Sequence, residues 1–139
     1  MKTIALCIDK GNGRLFYGKR TSSDREVRKR LLDMTDVLYV DSYTAAQFTE
    51  DYGKEKLRVV DDPAGIAEGT AFIELQDIPR DADRIVIFNW NRKYPADRFL
   101  DFRFSGWRKV KKEDFEGYAH PKVTMDVWER RKEVSDEKK

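Results

Sequence analysis

The chain has 139 residues, 28 of them basic and 26 acidic, for a formal net charge of +2; 40% of positions are hydrophobic and 39% charged. That length fits one compact domain with a real core, and so small a net charge leaves no electrostatic footprint for nucleic acid, which is not an expected partner. The lone Cys7 excludes an intramolecular disulfide and any multi-cysteine metal site.

"TIALCI" (Thr3–Ile8) is a short apolar run, too short for a signal peptide or a membrane span, so a cytoplasmic location is expected. It reads as a central strand that enters a turn at "DKGNG", where Asn12-Gly13 favours reversal. "SSD" (Ser22–Asp24) supplies helix N-cap residues, and Val27, Leu31 and Met34 follow at helical spacing. "VLYV" (Val37–Val40) is a second buried strand, and "SYTAAQFTEDYG" predicts a short helix stopped at Gly53. "LRVV" and "AFIEL" predict strands around a loop of turn formers, "DDPAGIAEG".

"RIVIFNW" (Arg84–Trp90) is the strongest strand of the sequence. "DRFLDFRF" is expected to return after a polar turn, and "KVTMDVWER" closes the fold with Val123, Met125 and Val127 on one face. "WRKVKK" (Trp107–Lys112) mixes an aromatic with cations, as single-strand binders do. Acidic Glu113, Asp114 and Glu116 follow at once, so a solvated loop is expected. Residues 1–131 are expected to form a single domain, and 132–139 a charged tail that frays and whose deletion hardly changes stability. Strand–helix–strand alternation followed by a terminal hairpin argues for an α/β fold, a mixed sheet flanked by helices.

This order resembles dihydrofolate reductase. Asp83-Arg84 opening a buried strand, Asp97 and Phe99, Trp107, and the closing Glu129-Arg130-Arg131 are similar to that family's C-terminal half. "IALCIDKGNG" resembles its first strand and loop, and "DREVRKRLLDMTDVLYVDSYT" its first helix, second strand and the start of the next helix. The resemblance implies a dihydrofolate reductase-like mixed sheet with a C-terminal antiparallel hairpin. It also implies a departure. Where the family has Gly-Arg-x-Thr for the cofactor phosphate, this chain has Asp41-Ser42-Tyr43-Thr44. Thr70–Ile78 holds no glycine pair for a pyrophosphate, and the segment between Phe48 and Asp83 is shorter than the family's. The cofactor-binding half is read as lost, and no cofactor is expected.

Asp24 lies near the family's pterin-binding acid, with Glu26 competing within one turn; a carboxylate there can read amino groups of a heterocycle, or Asp24 can simply cap the helix. Lys19 and Arg20 before a helix N-terminus suit an anion, or belong to a solvated loop. Asn89, Trp90, Asn91, Arg92 and Tyr94 form a second cluster, in which Arg and aromatics can stack on a ring or serve as core and turn. The expected ligand-binding set is Arg20, Asp24, Asn89, Asn91, Arg92 and Tyr94. His120, the only histidine, stands at no metal-ligand spacing, and no Ser-His-Asp or Cys-His arrangement is expected beyond coincidence. No catalytic residue is assigned. The expected function is non-redox binding of a small heterocyclic or nucleotide-like ligand in the remaining cleft. A degenerate NADPH-dependent reductase and an interaction protein are the alternatives.

Overall fold

The computed structural model describes residues 1–131, and the tail expected at 132–139 lies outside the described residues. Ten strands and two α-helices follow in order: β1 (Lys2–Ile8), β2 (Gly13–Phe16), β3 (Lys19–Arg20), α1 (Arg25–Asp33), β4 (Leu38–Val40), α2 (Ser42–Ala45), β5 (Leu57–Val59), β6 (Gly69–Phe72), β7 (Arg84–Asn89), β8 (Arg98–Phe99), β9 (Trp107–Phe115) and β10 (Val123–Arg130). Seven of the strands form one mixed sheet in the order β5-β4-β6-β1-β7-β10-β9. The strands from β5 to β7 run parallel, and β10 and β9 close the sheet antiparallel. A second, three-stranded sheet, β3-β2-β8, stands apart from it.

The period-two geometry of β1 and β7 divides the core. Ala5, Val86 and Phe88 face α1, whose Val27, Leu31 and Leu32 are buried against them together with Phe48 and Phe72. Ile4, Leu6, Ile8, Ile85 and Ile87 face the other way. There a loop rather than a helix covers the sheet: Phe102 and Phe104 pack on Trp107 and Trp128, with ring centroids 5.7 and 4.2 Å apart. Aromatic rings bury enough area per residue for a short irregular segment to seal a sheet face.

Four sequence expectations are corrected. "DRFLDFRF" is not the returning arm of a hairpin with β7. Only Arg98–Phe99 is a strand, and it pairs with β2; the partner of β7 is β10, and the terminal hairpin is β9–β10. "WRKVKK" is therefore not a loop but most of the edge strand β9. An edge strand exposes its flank, so its charges read as solvated without ending the strand. The helix expected to run to Gly53 ends at Ala45, and Gly53 instead opens a 3-10 turn at φ 68°. Met34 caps α1 at 39% exposure rather than joining the core. Beyond α2, among the described residues, 3-10 turns at Lys54–Lys56 and Pro63–Gly65 accompany the strands.

Candidate functional site

The site lies where the carboxyl ends of β1 and β6 meet β3 and the start of α1, the region where open α/β sheets present their crevices. Glu74, just beyond β6, is 8% exposed. Arg20 grips it with two hydrogen bonds, Nε to Oε2 at 2.9 Å and Nη2 to Oε1 at 3.0 Å. The same guanidinium donates to the Tyr43 carbonyl and lies 4.2 Å above the Tyr43 ring. Thr44 Oγ1 donates to Glu74 Oε1 at 2.9 Å. Burial alone would lower the Arg20 pKa, but the hydrogen bond and charge of Glu74 outweigh it and hold it above the ordinary arginine value.

Arg14, on β2, is compensated less. It is 6% exposed, and its one side-chain hydrogen bond among the described residues runs to the Glu74 carbonyl at 3.3 Å. Asp77 Oδ1 stands 3.9 Å from Nη1. Burial, followed by the nearby Arg98, lowers the Arg14 pKa. Cys7 lies beside it, and burial, followed by the charge of Glu74, pushes its thiol well up. Cys7, Arg14, Arg20, Ser22, Glu74 and Trp90 line a cavity of about 10 Å³, room for one water-sized group.

Next to this cavity stands a second buried network. Asp24 caps α1 by accepting from Glu26 N, as "SSD" before a helical pattern signals. It also accepts from Tyr118 N at 2.9 Å, Ala119 N at 2.8 Å and His120 Nδ1 at 2.8 Å. Burial alone would raise its pKa, but the bonds from His120, Tyr118, Ala119 and Glu26 outweigh it and hold it below the ordinary aspartate value. His120 is 3% exposed, stacks on Trp90 at 4.5 Å, and meets Ser22 Oγ at 2.9 Å and the Tyr94 hydroxyl at 3.1 Å through Nε2.

Of the residues expected to bind ligand, Asp24 and Tyr94 meet at His120, and Arg20 stands across the small cavity from Ser22. Asn89 and Asn91 turn elsewhere: Asn89 Oδ1 accepts from Asn91 N, and Asn91 Nδ2 donates to the Lys122 carbonyl and Thr124 Oγ1. Arg92 is exposed, and its carbonyl anchors Lys10 N. Sequence reasoning missed Arg14, Ser22, Glu74 and His120. Glu74 did leave a signal, since an acid inside the apolar run "AFIEL" requires a buried partner. His120 left none, because its partners lie on distant segments. The Ser-His-Asp contact that residue order does not reveal is present in the fold.

No protein-family model matches the chain, and no curated protein sequence matches it. Among solved structures it is similar to dihydrofolate reductase from Enterococcus faecalis complexed with NADP(H) and RAB-propyl, at a TM-score of 0.66 and 15% identity, over 95% of this chain and 97% of that one. The chain therefore has a dihydrofolate reductase-like α/β fold.

The residues here do not fit the dinucleotide that such a fold implies. Asp41 occupies the start of α2, accepting from Thr44 N at 2.8 Å and Gln76 Nε2 at 2.8 Å. Burial opposes its charge, but Gln76 and Thr44 outweigh it and keep the carboxyl below its ordinary pKa, so an anion sits where a phosphate would need cations and free N–H groups. Trp90, stacked on His120, walls a cavity of about 10 Å³, whereas pockets for drug-sized ligands run to roughly 300 Å³ or more.

Proposed function

We propose that this chain is a non-redox protein of reductase-like fold whose residual cleft binds a small anion beside Arg14 and Arg20. The observation that carries the reading is Arg14, a guanidinium 6% exposed whose one side-chain hydrogen bond among the described residues is long and whose ion pair with Asp77 is stretched to 3.9 Å. Burying a cation with so little compensation is costly, and an anion would supply what is missing. The volume narrows the sequence expectation. A heterocycle would have to displace Trp90 or His120, whereas a carboxylate, phosphate or sulfate group needs only a modest opening at Ser22. Arg20 would read the charge, Tyr94 would hold the wall through His120, and Asp24 would act by fixing that wall, its own oxygens being engaged.

Thermal melts at matched ionic strength test this, comparing chloride with phosphate, sulfate, acetate and malonate for the parent and Arg14→Gln. One of these anions should raise the melting midpoint of the parent in a saturable manner and leave Arg14→Gln unmoved. Equal midpoints in all salts would overturn the reading.

One observation favours the interaction alternative as a second reading. Tyr17 is 80% exposed at the tip of the β2–β3 hairpin and holds φ 51°, a conformation uncommon for a bulky residue. Phe16 packs on it at 4.3 Å, and an aromatic pair at a fixed tip suits a hydrophobic recess on another protein.

A further inference from the structure

The contact of Ser22, His120 and Asp24 has a chemical meaning that neither the fold nor anion binding requires. Ser22 Oγ lies 2.9 Å from His120 Nε2, and His120 Nδ1 lies 2.8 Å from Asp24 Oδ2. A carboxylate only accepts, so Nδ1 carries the hydrogen, and in the neutral ring Nε2 presents a lone pair to the serine hydroxyl. Trp90, stacked at 4.5 Å and 23°, fixes the ring plane. Asp24 itself is locked by Glu26, Tyr118 and Ala119. Ser22 is partly exposed and opens onto the small cavity that Arg14 and Arg20 also line.

We propose that Ser22 is an acyl-accepting nucleophile, with His120 as its general base and Asp24 as the residue that positions the imidazole, acting on esters with short acyl groups. Ser22 Oγ attacks the carbonyl carbon while His120 Nε2 takes the hydroxyl proton, and the carbonyl π pair moves onto oxygen. The tetrahedral species collapses, the ester C–O bond breaks, and His120 returns the proton to the leaving alkoxide. Water then attacks the acyl-Ser22 ester by the same exchange, so ester and water become acid and alcohol. Arg14 borders the same cavity and is the cation left to meet the oxyanion, since Glu74 offsets Arg20. The cavity has room for one water-sized group and so favours the smallest acyl groups, with the rest of the ester on the open side of Ser22. A preference for esters bearing a carboxylate rests on the anion-binding reading; the covalent chemistry does not, and neutral probes separate the two.

The Tyr94 hydroxyl, 3.1 Å from the same Nε2, competes with Ser22. Tyr94→Phe, which frees Nε2 for Ser22, should therefore raise reactivity, an outcome that a merely structural polar network gives no reason to expect. The experiment treats the full chain with p-nitrophenyl acetate and with methanesulfonyl fluoride, following hydrolysis and mapping adducts by mass spectrometry. A single adduct should map to Ser22 and disappear in Ser22→Ala, which removes one partly exposed hydroxyl and should fold. His120→Gln should slow labelling by at least about 100-fold, the usual contribution of a general base. In Asp24→Asn, assayed where circular dichroism shows it folded, kcat for the acetyl ester should fall while KM holds. An adduct at another serine, labelling of Ser22 no faster than of Ser23 or Ser42, or parental hydrolysis in Ser22→Ala overturns the proposal.

Discussion

Asp24 fastens two parts of the chain that are far apart in sequence. Its role as a cap is legible locally, because "SSD" precedes an apolar pattern at helical spacing. Its other three donors come from positions 94 to 96 further on, beyond the reach of any local pattern. That difference changes what a substitution does. As a cap alone, Asp24→Asn would be nearly neutral, since Asn caps almost as well. Here one oxygen serves Ala119 N and His120 Nδ1, and an amide NH₂ in its place would point donors at donors. A loss of about 3 kcal/mol is expected, from two unsatisfied buried groups, one of them charge-assisted. Because the folded pKa of Asp24 is depressed, its contribution is present above the unfolded value of about 4 and is lost as pH falls through the folded value. Chemical denaturation of parent and Asp24→Asn across pH should therefore show a stability gap that narrows below about pH 4. Gly117 belongs to the same lock: a Cβ there would lie 2.7 Å from Asp24 Oδ2 and 2.9 Å from the His120 carbonyl. Gly117→Ala should lower the melting midpoint although its φ is not in the left-handed region.

At the scale of elements, legibility followed burial. β1 and β7 are central, and their apolar runs are plain in "TIALCI" and "RIVIFN". The expected helix after β4 failed because its segment buries Thr44 and Phe48 without the repeated spacing that would sustain further turns. β9 was hidden for the opposite reason. From Arg108 to Lys112 every residue is exposed, so no alternation survives, and only its pairing with β10 makes it a strand. Its cations have work at the edge: Lys109 lies 3.3 Å from Asp126 on the neighbouring strand, while Arg108, Lys111 and Lys112 leave the free flank charged. Charges of this kind keep an unpaired strand from adding to another sheet. Replacing Arg108 and Lys112 with Val should leave the fold intact but make the protein associate as concentration rises. Light scattering across a dilution series checks this, and a monomer that persists at high concentration would count against the edge-guard role.

At the scale of the molecule, a dihydrofolate reductase-like fold was legible in the order of the strands. The expectation that the cofactor half is lost rests on Asp41-Ser42 and the glycine-poor stretch after β6, and local sequence does not say which side chains meet at the crevice. Trp90, His120 and the Arg20–Glu74 pair come together there, contributed from β3, the segment after β6, the end of β7 and the β9–β10 loop. A degenerate reductase would still have to hold NADPH, and each charge-assisted phosphate contact it lacks costs on the order of 1.5–3 kcal/mol. The buried Asp41 carboxylate at the start of α2 is a further charge that a phosphate bound at that helix start would have to meet. Saturating a site at about 100 times its dissociation constant stabilises by roughly 2.7 kcal/mol, a shift that melts resolve easily. With NADPH at several hundred micromolar, no such shift is expected, and the absorbance of NADPH should stay flat with dihydrofolate present. A double variant, Asp41→Gly with Ser42→Arg, restores the phosphate-binding pattern yet leaves the cleft filled. It should gain a weak, salt-sensitive affinity for the nucleotide and no turnover. Turnover by the parent chain, or a micromolar dissociation constant for NADPH by calorimetry, would return the protein to the reductases.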